Sequence, residues 1–289
     1  MGKKIVLVTG ATDGIGKETA KALAKKGFLV IVHGRNVQKT KDVIEEIKRE
    51  TKGADIDMLI CNLLSFRDVK KMTDEFYKKY DHLDVLINNA GTVFSKERVL
   101  TKDGEERTFQ LNVFSPFLLS QLLLPALEKS KSARIIIESS AAHTVARKPD
   151  FYDMKSEKEY GAQSNYNLSK LYAIWMAQHF AKELKEKGIH NVTYNSTHPG
   201  SAATTFGQNE KKGFMTDIIY KVGLIFMSKP KDAAQSEVYL ASSPEVEGVS
   251  GEYFSNKCKK DKPNNKYYSA ENEQKLWDYC VKITKPYLN

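Results

Sequence analysis

Short apolar runs alternate with amphipathic segments along almost the whole chain, and this alternation limits the fold more than any other feature of the sequence. The apolar runs predict strands at 4–9, 28–32, 57–61, 85–88, 134–138, 191–197 and 252–254. The segments between them predict helices at 16–26, 37–51, 66–80, 109–127, 166–187 and 232–241. Strands that alternate with helices form βαβ units, and continuous apolar strands belong in a sheet covered on both faces. The pattern predicts an α/β protein with a doubly wound parallel sheet.

The 289 residues contain no Pro- or Ser-rich linker and no repeat, so we expect a single domain. We place its main part at 1–256 and a helical C-terminal extension at 257–289. An amphipathic helix predicted at 270–283 would pack on the same domain; covering the functional site or forming a subunit contact are the alternatives.

Three glycines follow the first predicted strand and open the first predicted helix: Gly10, Gly14 and Gly16. Glycine lets the backbone turn tightly and approach a pyrophosphate, whose charge is favoured at a helix N-terminus. The spacing is not that of the phosphate loop of nucleotide hydrolases, because Lys17 is followed by Glu18 rather than Ser or Thr. The turn predicts a dinucleotide cradle, with an ordinary strand–helix loop as the alternative.

The end of the second predicted strand indicates which dinucleotide would bind. Sites for NAD usually place a carboxylate there for the ribose hydroxyl, whereas an arginine accommodates a 2′-phosphate. This chain has His33, Gly34, Arg35 and Asn36 at that point and no acidic residue. We therefore favour NADP(H) over NAD(H), with an exposed structural arginine as the alternative, and interpret His33 as a hydrogen-bonded strand-end histidine.

Tyr166 and Lys170 are four residues apart, so a helix would place both side chains on one face. A free tyrosine has a pKa near 10, and a neighbouring ammonium group lowers that pKa. A tyrosine in this setting can serve as a general acid or base near neutral pH. A surface pair on an ordinary helix is the alternative, because this spacing is common by chance.

The remaining motifs form an ordered set around these two features. The glycine turn 9–16 is followed by Asn88-Asn-Ala-Gly91, Asn112, the Ser139–Ser140 pair, Tyr166 with Lys170, and Pro199-Gly200. This set resembles the short-chain dehydrogenase/reductase family over nearly the whole chain, to about residue 255. The segment 100–106, the His198-Pro-Gly turn and the long gap before Tyr166 resemble its retinol-dehydrogenase-like branch. The resemblance implies a Rossmann-type sheet in which 1–256 is the dinucleotide-binding catalytic domain.

The resemblance also implies a role for each matching residue. Tyr166 would give a proton to a carbonyl oxygen, Ser140 would hold that oxygen, and Lys170 would lower the Tyr166 pKa and bind the nicotinamide ribose. Asn112 would steady its helix and a water in the proton path. The predicted cofactor-binding residues are Gly10, Thr12, Asp13, Gly14, Ile15, Gly16, Arg35, Asn36, Asn62, Leu63, Asn89, Ala90, Gly91, Tyr166, Lys170, Pro199, Gly200 and Thr204. No metal site is predicted.

Two regions depart from the family pattern or lie outside it. Asn62 stands where the family usually carries an aspartate near the adenine, so we expect a weaker contact through its amide oxygen. The segment 206–229 has a polar start and an apolar remainder too short to span a bilayer. We expect it to be a lid over an apolar substrate, with a membrane-contacting patch and plain core packing as the alternatives.

Composition narrows the partners and the compartment. The net charge of +9 indicates a solvated basic surface, or one that attracts anions such as a phosphorylated cofactor or a membrane surface. No nucleic-acid module is recognisable, and three sparse cysteines suggest reduced thiols in a cytoplasmic protein. Relatives commonly pair through the helices at Phe109 and Tyr166, so a homodimer or higher homo-oligomer is an option.

Taken together, the sequence predicts an NADP(H)-dependent oxidoreductase that interconverts an apolar carbonyl compound and its alcohol. Two alternatives stay open: a dinucleotide-sensing binding protein without turnover, and an NAD-dependent alcohol dehydrogenase.

Overall fold

Seven parallel strands form one sheet in the order β3-β2-β1-β4-β5-β6-β7. The computed structural model describes residues 2–94, 96–200 and 229–288. The strands are β1 Ile5–Val8, β2 Leu29–Gly34, β3 Ile56–Ile60, β4 Val85–Asn88, β5 Ala133–Glu138, β6 Val192–Thr197 and β7 Tyr253–Phe254. Each strand predicted from the sequence is present, and the predicted doubly wound, Rossmann-type sheet is confirmed.

Helices cover both faces of this sheet. Those in the described residues are α1 Gly14–Lys25, α2 Val37–Glu50, α3 Phe66–Lys79, α4 Arg107–Glu128, α5 Ala162–Glu186, α6 Pro230–Ala233, α7 Gln235–Ser242 and α8 Ala270–Thr284. Successive side chains of a strand point to opposite faces of the sheet, so the side chains of β1 pack into two separate cores, one on each face. Ile5 and Leu7 face α3, α4 and α5, whereas Val6 and Val8 face α1, α2 and α7. Burial on both faces explains why the strands are continuously apolar.

The strand order reverses between β1 and β4, and this reversal positions the functional site. In an open α/β sheet, the crevice at such a switch point, outside the carboxyl ends of the strands, is where ligands bind. The motifs singled out in the sequence follow β1, β2, β4, β5 and β6 at that edge. The fold thereby gathers residues that are far apart in the chain.

Helix α4 contains one irregular turn. Residues Gln110–Phe114 are π-helical, and Asn112 lies within them. Single π-turns inside α-helices occur frequently at functional sites. The helix is long and apolar enough to cross a membrane, but its most apolar window is 72% buried inside the protein, as expected of a core helix.

The C-terminal portion is helical and lies on α4 and α5. The Trp277 ring on α8 contacts Phe117 of α4 at 5.0 Å and Phe180 of α5 at 5.5 Å between ring centroids. The Tyr279 hydroxyl donates to the buried Glu105 carboxylate at 2.6 Å. The domain boundary at residue 256 stays a prediction.

The predicted lid at 206–229 lies, except for Lys229, outside the described residues, and so does Thr204. The long gap between Ser140 and Tyr166 contains a short 3₁₀ turn at Ala141–Val145, is irregular after it, and ends where α5 begins at Ala162.

Candidate active site

The glycine turn is shaped by backbone that other residues could not supply. Gly10 has φ +65° and Gly14 has φ +51°, a region that residues with a Cβ rarely adopt. A Cβ on Gly16 would lie 2.7 Å from the carbonyl oxygen of Gly10. Asp13 caps α1, because its carboxylate accepts from the Gly14 backbone N–H at 2.8 Å. The turn therefore presents the N-terminus of α1 to the crevice, which suits a pyrophosphate.

Two buried side chains hold this turn from behind. His33 accepts from the Gly10 N–H through Nδ1 at 3.1 Å, and its Nε2 lies 3.3 Å from the Cys61 carbonyl oxygen. These partners assign the proton to Nε2. Burial lowers the pKa of His33 to about 4, so it is neutral at neutral pH. Asn89 donates to the Thr9 carbonyl at 2.7 Å. The structure confirms that His33 is a hydrogen-bonded residue at the end of β2. The side-chain nitrogen of Asn89 is already hydrogen bonded within the protein.

The predicted 2′-phosphate residues lie at the end of β2. Arg35 is exposed there, and Asn36 caps α2 by accepting from the Lys39 N–H at 2.9 Å. The methyl group of Thr12 lies so close to Gly34 that a Cβ on residue 34 would collide with it. Lys39, which the sequence analysis did not single out, forms an ion pair of 3.0 Å with Asp13. Two cations thus lie beside the glycine turn.

The two residues predicted to contact the adenine, Asn62 and Leu63, already make contacts within the protein. The Asn62 amide oxygen accepts from the Leu64 N–H at 3.1 Å, so one of its two lone pairs is already used. The Leu63 side chain is buried in the core, and its carbonyl accepts from the Ser115 hydroxyl at 2.5 Å. Leu63 can therefore offer a ligand little besides its backbone.

Ser140 and Tyr166 meet at the carboxyl end of β5. The Ser140 hydroxyl accepts from the Ala142 N–H at 3.2 Å and lies within hydrogen-bonding reach of the Tyr166 phenol. The neighbouring Ser139 instead donates to the Lys170 carbonyl at 2.7 Å, which ties β5 to α5. The two serines therefore have different surroundings: Ser139 faces the backbone of α5, and Ser140 faces the phenol.

Lys170 and Asn112 lie next to each other against Gly91. The Lys170 ammonium donates to the Glu138 carbonyl at 2.8 Å. Asn112 receives the Thr92 N–H at 3.1 Å and donates to the Ser169 hydroxyl at 2.9 Å. A Cβ on Gly91 would be 3.0 Å from Lys170 Nζ and 3.1 Å from Asn112 Oδ1, so glycine permits this approach. The four predicted catalytic residues are thus brought together.

One predicted effect differs from the structure. From the sequence we expected Lys170 to lower the pKa of Tyr166, yet that pKa is raised well above its usual value. Burial is the main cause, the Ser140 contact opposes it, and the Glu138 charge adds to it. The Lys170 ammonium lies 5.6 Å from the centre of the Tyr166 ring, and burial lowers its own pKa. Loss of hydration outweighs the charge effect expected from the spacing alone.

The last predicted contacts follow β6. Gly200 has φ +74°, and its N–H donates to His198 Nδ1 at 3.1 Å. Pro199 precedes it and is buried. Ile15, at the start of α1, packs against Ala233 and Ala234.

Glu138 and Glu237 are charged residues near the site that the sequence analysis missed. Glu138 is the last residue of β5. An acidic residue at the end of an otherwise apolar strand was the sequence signal that could have identified it. Glu237 lies on α7, and nothing in the sequence connects it to β5. Within residues 2–94, 96–200 and 229–288, no group of three or more His, Cys, Asp or Glu side chains is arranged to hold a metal ion.

The chain is similar in sequence and in fold to known short chain dehydrogenases. The short chain dehydrogenase family profile matches residues 4–213. Human polyprenol dehydrogenase is 36% identical over 287 residues, covering 97% of this chain and 85% of that protein. Human retinol dehydrogenase 14 is 34% identical over 289 residues, covering 95% and 84%. A Shigella flexneri short chain dehydrogenase structure complexed with NADP is similar with a TM-score of 0.68 at 25% identity, covering 89% of this chain and 98% of that one.

Proposed function

Because this chain belongs to the short-chain dehydrogenase family, whose members are oxidoreductases, we propose that it interconverts an apolar carbonyl compound and its alcohol with NADP(H). The observation that carries the proposal is the convergence of Ser140, Tyr166, Lys170 and Asn112 at the sheet edge that also holds the glycine turn. When bound, the reduced nicotinamide supplies the hydride, and the side chains handle the oxygen and its proton.

Ser140 and Tyr166 would hold the substrate oxygen between two hydroxyl groups. Negative charge develops on that oxygen during reduction, and oriented donors stabilise it. Burial keeps Tyr166 protonated at neutral pH, because it raises the pKa of the phenol. A protonated phenol can donate its proton, whereas oxidation of an alcohol would need the phenolate.

Lys170 and Asn112 would help to return a proton to Tyr166 after it has donated its own, and would hold the catalytic side chains in place. The Lys170 ammonium is anchored to the Glu138 carbonyl and lies beside Asn112 Oδ1. Asn112 is itself held by Thr92 and Ser169. A buried cation near the phenol stabilises the phenolate that remains after proton donation.

The preference for NADP(H) rests on the absence of an acid and the presence of Arg35 at the end of β2. The similar Shigella structure contains NADP, which supports a nicotinamide dinucleotide here. Charge-assisted hydrogen bonds contribute about 1.5–3 kcal/mol. We expect Arg35→Ala to weaken NADPH binding by about 10- to 100-fold and to leave NADH binding unchanged, as measured by nicotinamide fluorescence titration.

Arg49→Ala is the matched control for this experiment, because Arg49 is an exposed arginine in the last turn of α2. It should bind both cofactors as the wild type does. Equal affinity of the wild type for NADPH and NADH, unaffected by Arg35→Ala, would contradict the proposed preference.

The substrate class is proposed from the relatives. The names of polyprenol dehydrogenase and retinol dehydrogenase 14 denote apolar alcohols. We infer an apolar aldehyde or ketone as the substrate, with retinoids, lipid aldehydes, steroids and small xenobiotic carbonyl compounds as the classes to test. NADPH oxidation should be faster with retinal or a polyprenal than with a small polar aldehyde. Preference for the polar aldehyde would contradict the assignment.

We also infer a reducing, cytoplasmic-type compartment. Cys61, Cys258 and Cys280 are all free thiols, and Cys61 and Cys280 are buried. Unpaired cysteines of this kind are typical of proteins in a reducing environment.

A further inference from the structure

A pair of carboxyl groups lies beneath the proposed site, between β5 and the two helices α1 and α7. Glu138 and Glu237 are within hydrogen-bonding reach of each other. Glu237 is 1% exposed, and Glu138 is partly buried. The Thr19 hydroxyl on α1 donates to Glu237 Oε2 at 2.5 Å. We call these two residues the carboxyl pair.

Lys170 on α5 is the cation whose charge acts on this pair. Among the described residues, its ammonium interacts with the charges of both Glu138 and Glu237 and is hydrogen bonded to the Glu138 backbone. The other ionisable group affected is Tyr166, also on α5. Thr19, the contact from α1, is neutral. A negative charge on the carboxyl pair therefore acts electrostatically on both Tyr166 and Lys170.

Two carboxylates this close cannot both be ionised in a buried setting. Glu138 Oε2 and Glu237 Oε1 are buried and have no hydrogen-bond partner among the protein donors of the described residues. A proton held between the two groups would satisfy both oxygens. Burial raises the pKa of Glu138 to about 7, and burial together with the Glu138 charge raises the pKa of Glu237 well above its usual value.

We propose that Glu138 and Glu237 share one proton, and that the remaining negative charge is a counter-charge that keeps Lys170 ionised in its buried position. Both are positioning residues that act through Lys170. The inference of a shared proton depends on the geometry of the pair alone. The inference that this proton affects turnover rests on the proposed function.

The proposal predicts an acid limit on activity near neutral pH. As the pH falls, the second proton neutralises the pair, and Lys170 loses its counter-charge. Because Lys170 then loses its counter-charge, turnover should fall as the pH drops below about 7. Among the residues that the structure describes, the titratable groups whose charges couple to the pair are Lys170 and Tyr166, since Thr19 does not titrate.

The test combines infrared difference spectroscopy with pH–rate profiles. In the cofactor-free wild type, the carbonyl stretch of a protonated carboxyl group should persist at neutral pH and grow as the pH falls. Glu237→Gln should abolish the persistent band, because the amide donates to Glu138 and leaves it ionised. The same variant should move the acid limb of kcat for NADPH-dependent reduction of retinal to lower pH by about one unit or more.

Glu105→Gln is the control, because Glu105 is also a buried glutamate but faces Tyr279 and Lys155 rather than Lys170. Its pH–rate profile should match that of the wild type. Absence of the protonated band in the wild type would overturn the proposal without the need for any variant. Superimposable profiles of wild type and Glu237→Gln would also overturn it. A persistent band in a protein that reduces no carbonyl compound would support the shared proton while refuting the proposed function.

Discussion

His33 is a buried side chain whose neutral form supports the glycine turn from behind. It holds Gly10 of the glycine turn and the Cys61 carbonyl at the end of β3 through its two ring nitrogens. Only the neutral form can accept from Gly10, so a second proton on the ring would break the contact behind the cofactor cradle. The sequence indicated a hydrogen-bonded histidine at this position, and the structure supplies its partners.

We expect the stability of this protein to decrease in acid because of His33. Its pKa is lowered from 6.5 to about 4 on folding, so the unfolded chain binds more protons between these values. Stability that is present above about pH 6.5 is therefore lost as the pH falls toward about 4, by on the order of 1–3 kcal/mol. The measurement is the free energy of unfolding in urea at several pH values.

His33→Gln should remove this part of the pH dependence, although it lowers stability at neutral pH. His82→Gln serves as the control, because His82 lies at the surface beside Asp81. If the wild type and His33→Gln lost stability in parallel as the pH falls, the assignment of the acid sensitivity to His33 would be wrong.

At the scale of elements, helix α8 packs on α4 and α5, the two helices through which the resemblance implies that relatives pair. Trp277 lies between Phe117 and Phe180 and stacks on His179 at 4.5 Å between ring centroids. The His179 ring and Lys182 both contact the buried Glu273 carboxylate at the start of α8. Because this surface is already packed, we expect the chain to be a monomer rather than the homo-oligomer that the resemblance allowed.

Trp277→Ala tests this function of α8. Truncation of a buried tryptophan costs about 3–5 kcal/mol, so the free energy of unfolding should fall by about that amount. The variant should also associate, because the uncovered α4–α5 surface is apolar, as measured by sedimentation or light scattering. Gln274→Ala, on the exposed side of α8, should change stability by less than about 0.5 kcal/mol. A dimeric wild type would contradict the expectation.

Helix α4 illustrates what sequence periodicity leaves out. The apolar pattern predicted one helix at 109–127, and the structure has one helix at Arg107–Glu128. The π-helical turn at Gln110–Phe114 was not predicted, and Asn112 within it makes hydrogen bonds to Thr92 and Ser169 from outside this helix. Local propensity cannot report such contacts.

At the scale of the whole molecule, the sequence predicted the sheet and the gathering of the motifs at its carboxyl edge. Strand alternation determines which face each residue meets, and the switch point determines where the loops converge. The carboxyl pair could not be predicted, since Glu138 and Glu237 meet only when α7 packs on β5. The raised pKa of Tyr166 was missed for a related reason: burial of the phenol is a property of the assembled fold.

The most direct test of the account is to compare Tyr166→Phe with Tyr172→Phe. Both residues are buried tyrosines on α5, but the Tyr172 hydroxyl faces Met154 at 3.8 Å rather than Ser140. The measurement is kcat for NADPH-dependent reduction of retinal, together with NADPH affinity from fluorescence titration. We predict that Tyr166→Phe loses about 10²- to 10⁴-fold in kcat and at most about tenfold in NADPH affinity, since only one neutral hydrogen bond is removed, and that Tyr172→Phe keeps most of its activity. Equal activity of the two variants would contradict the assignment of Tyr166 as the proton donor.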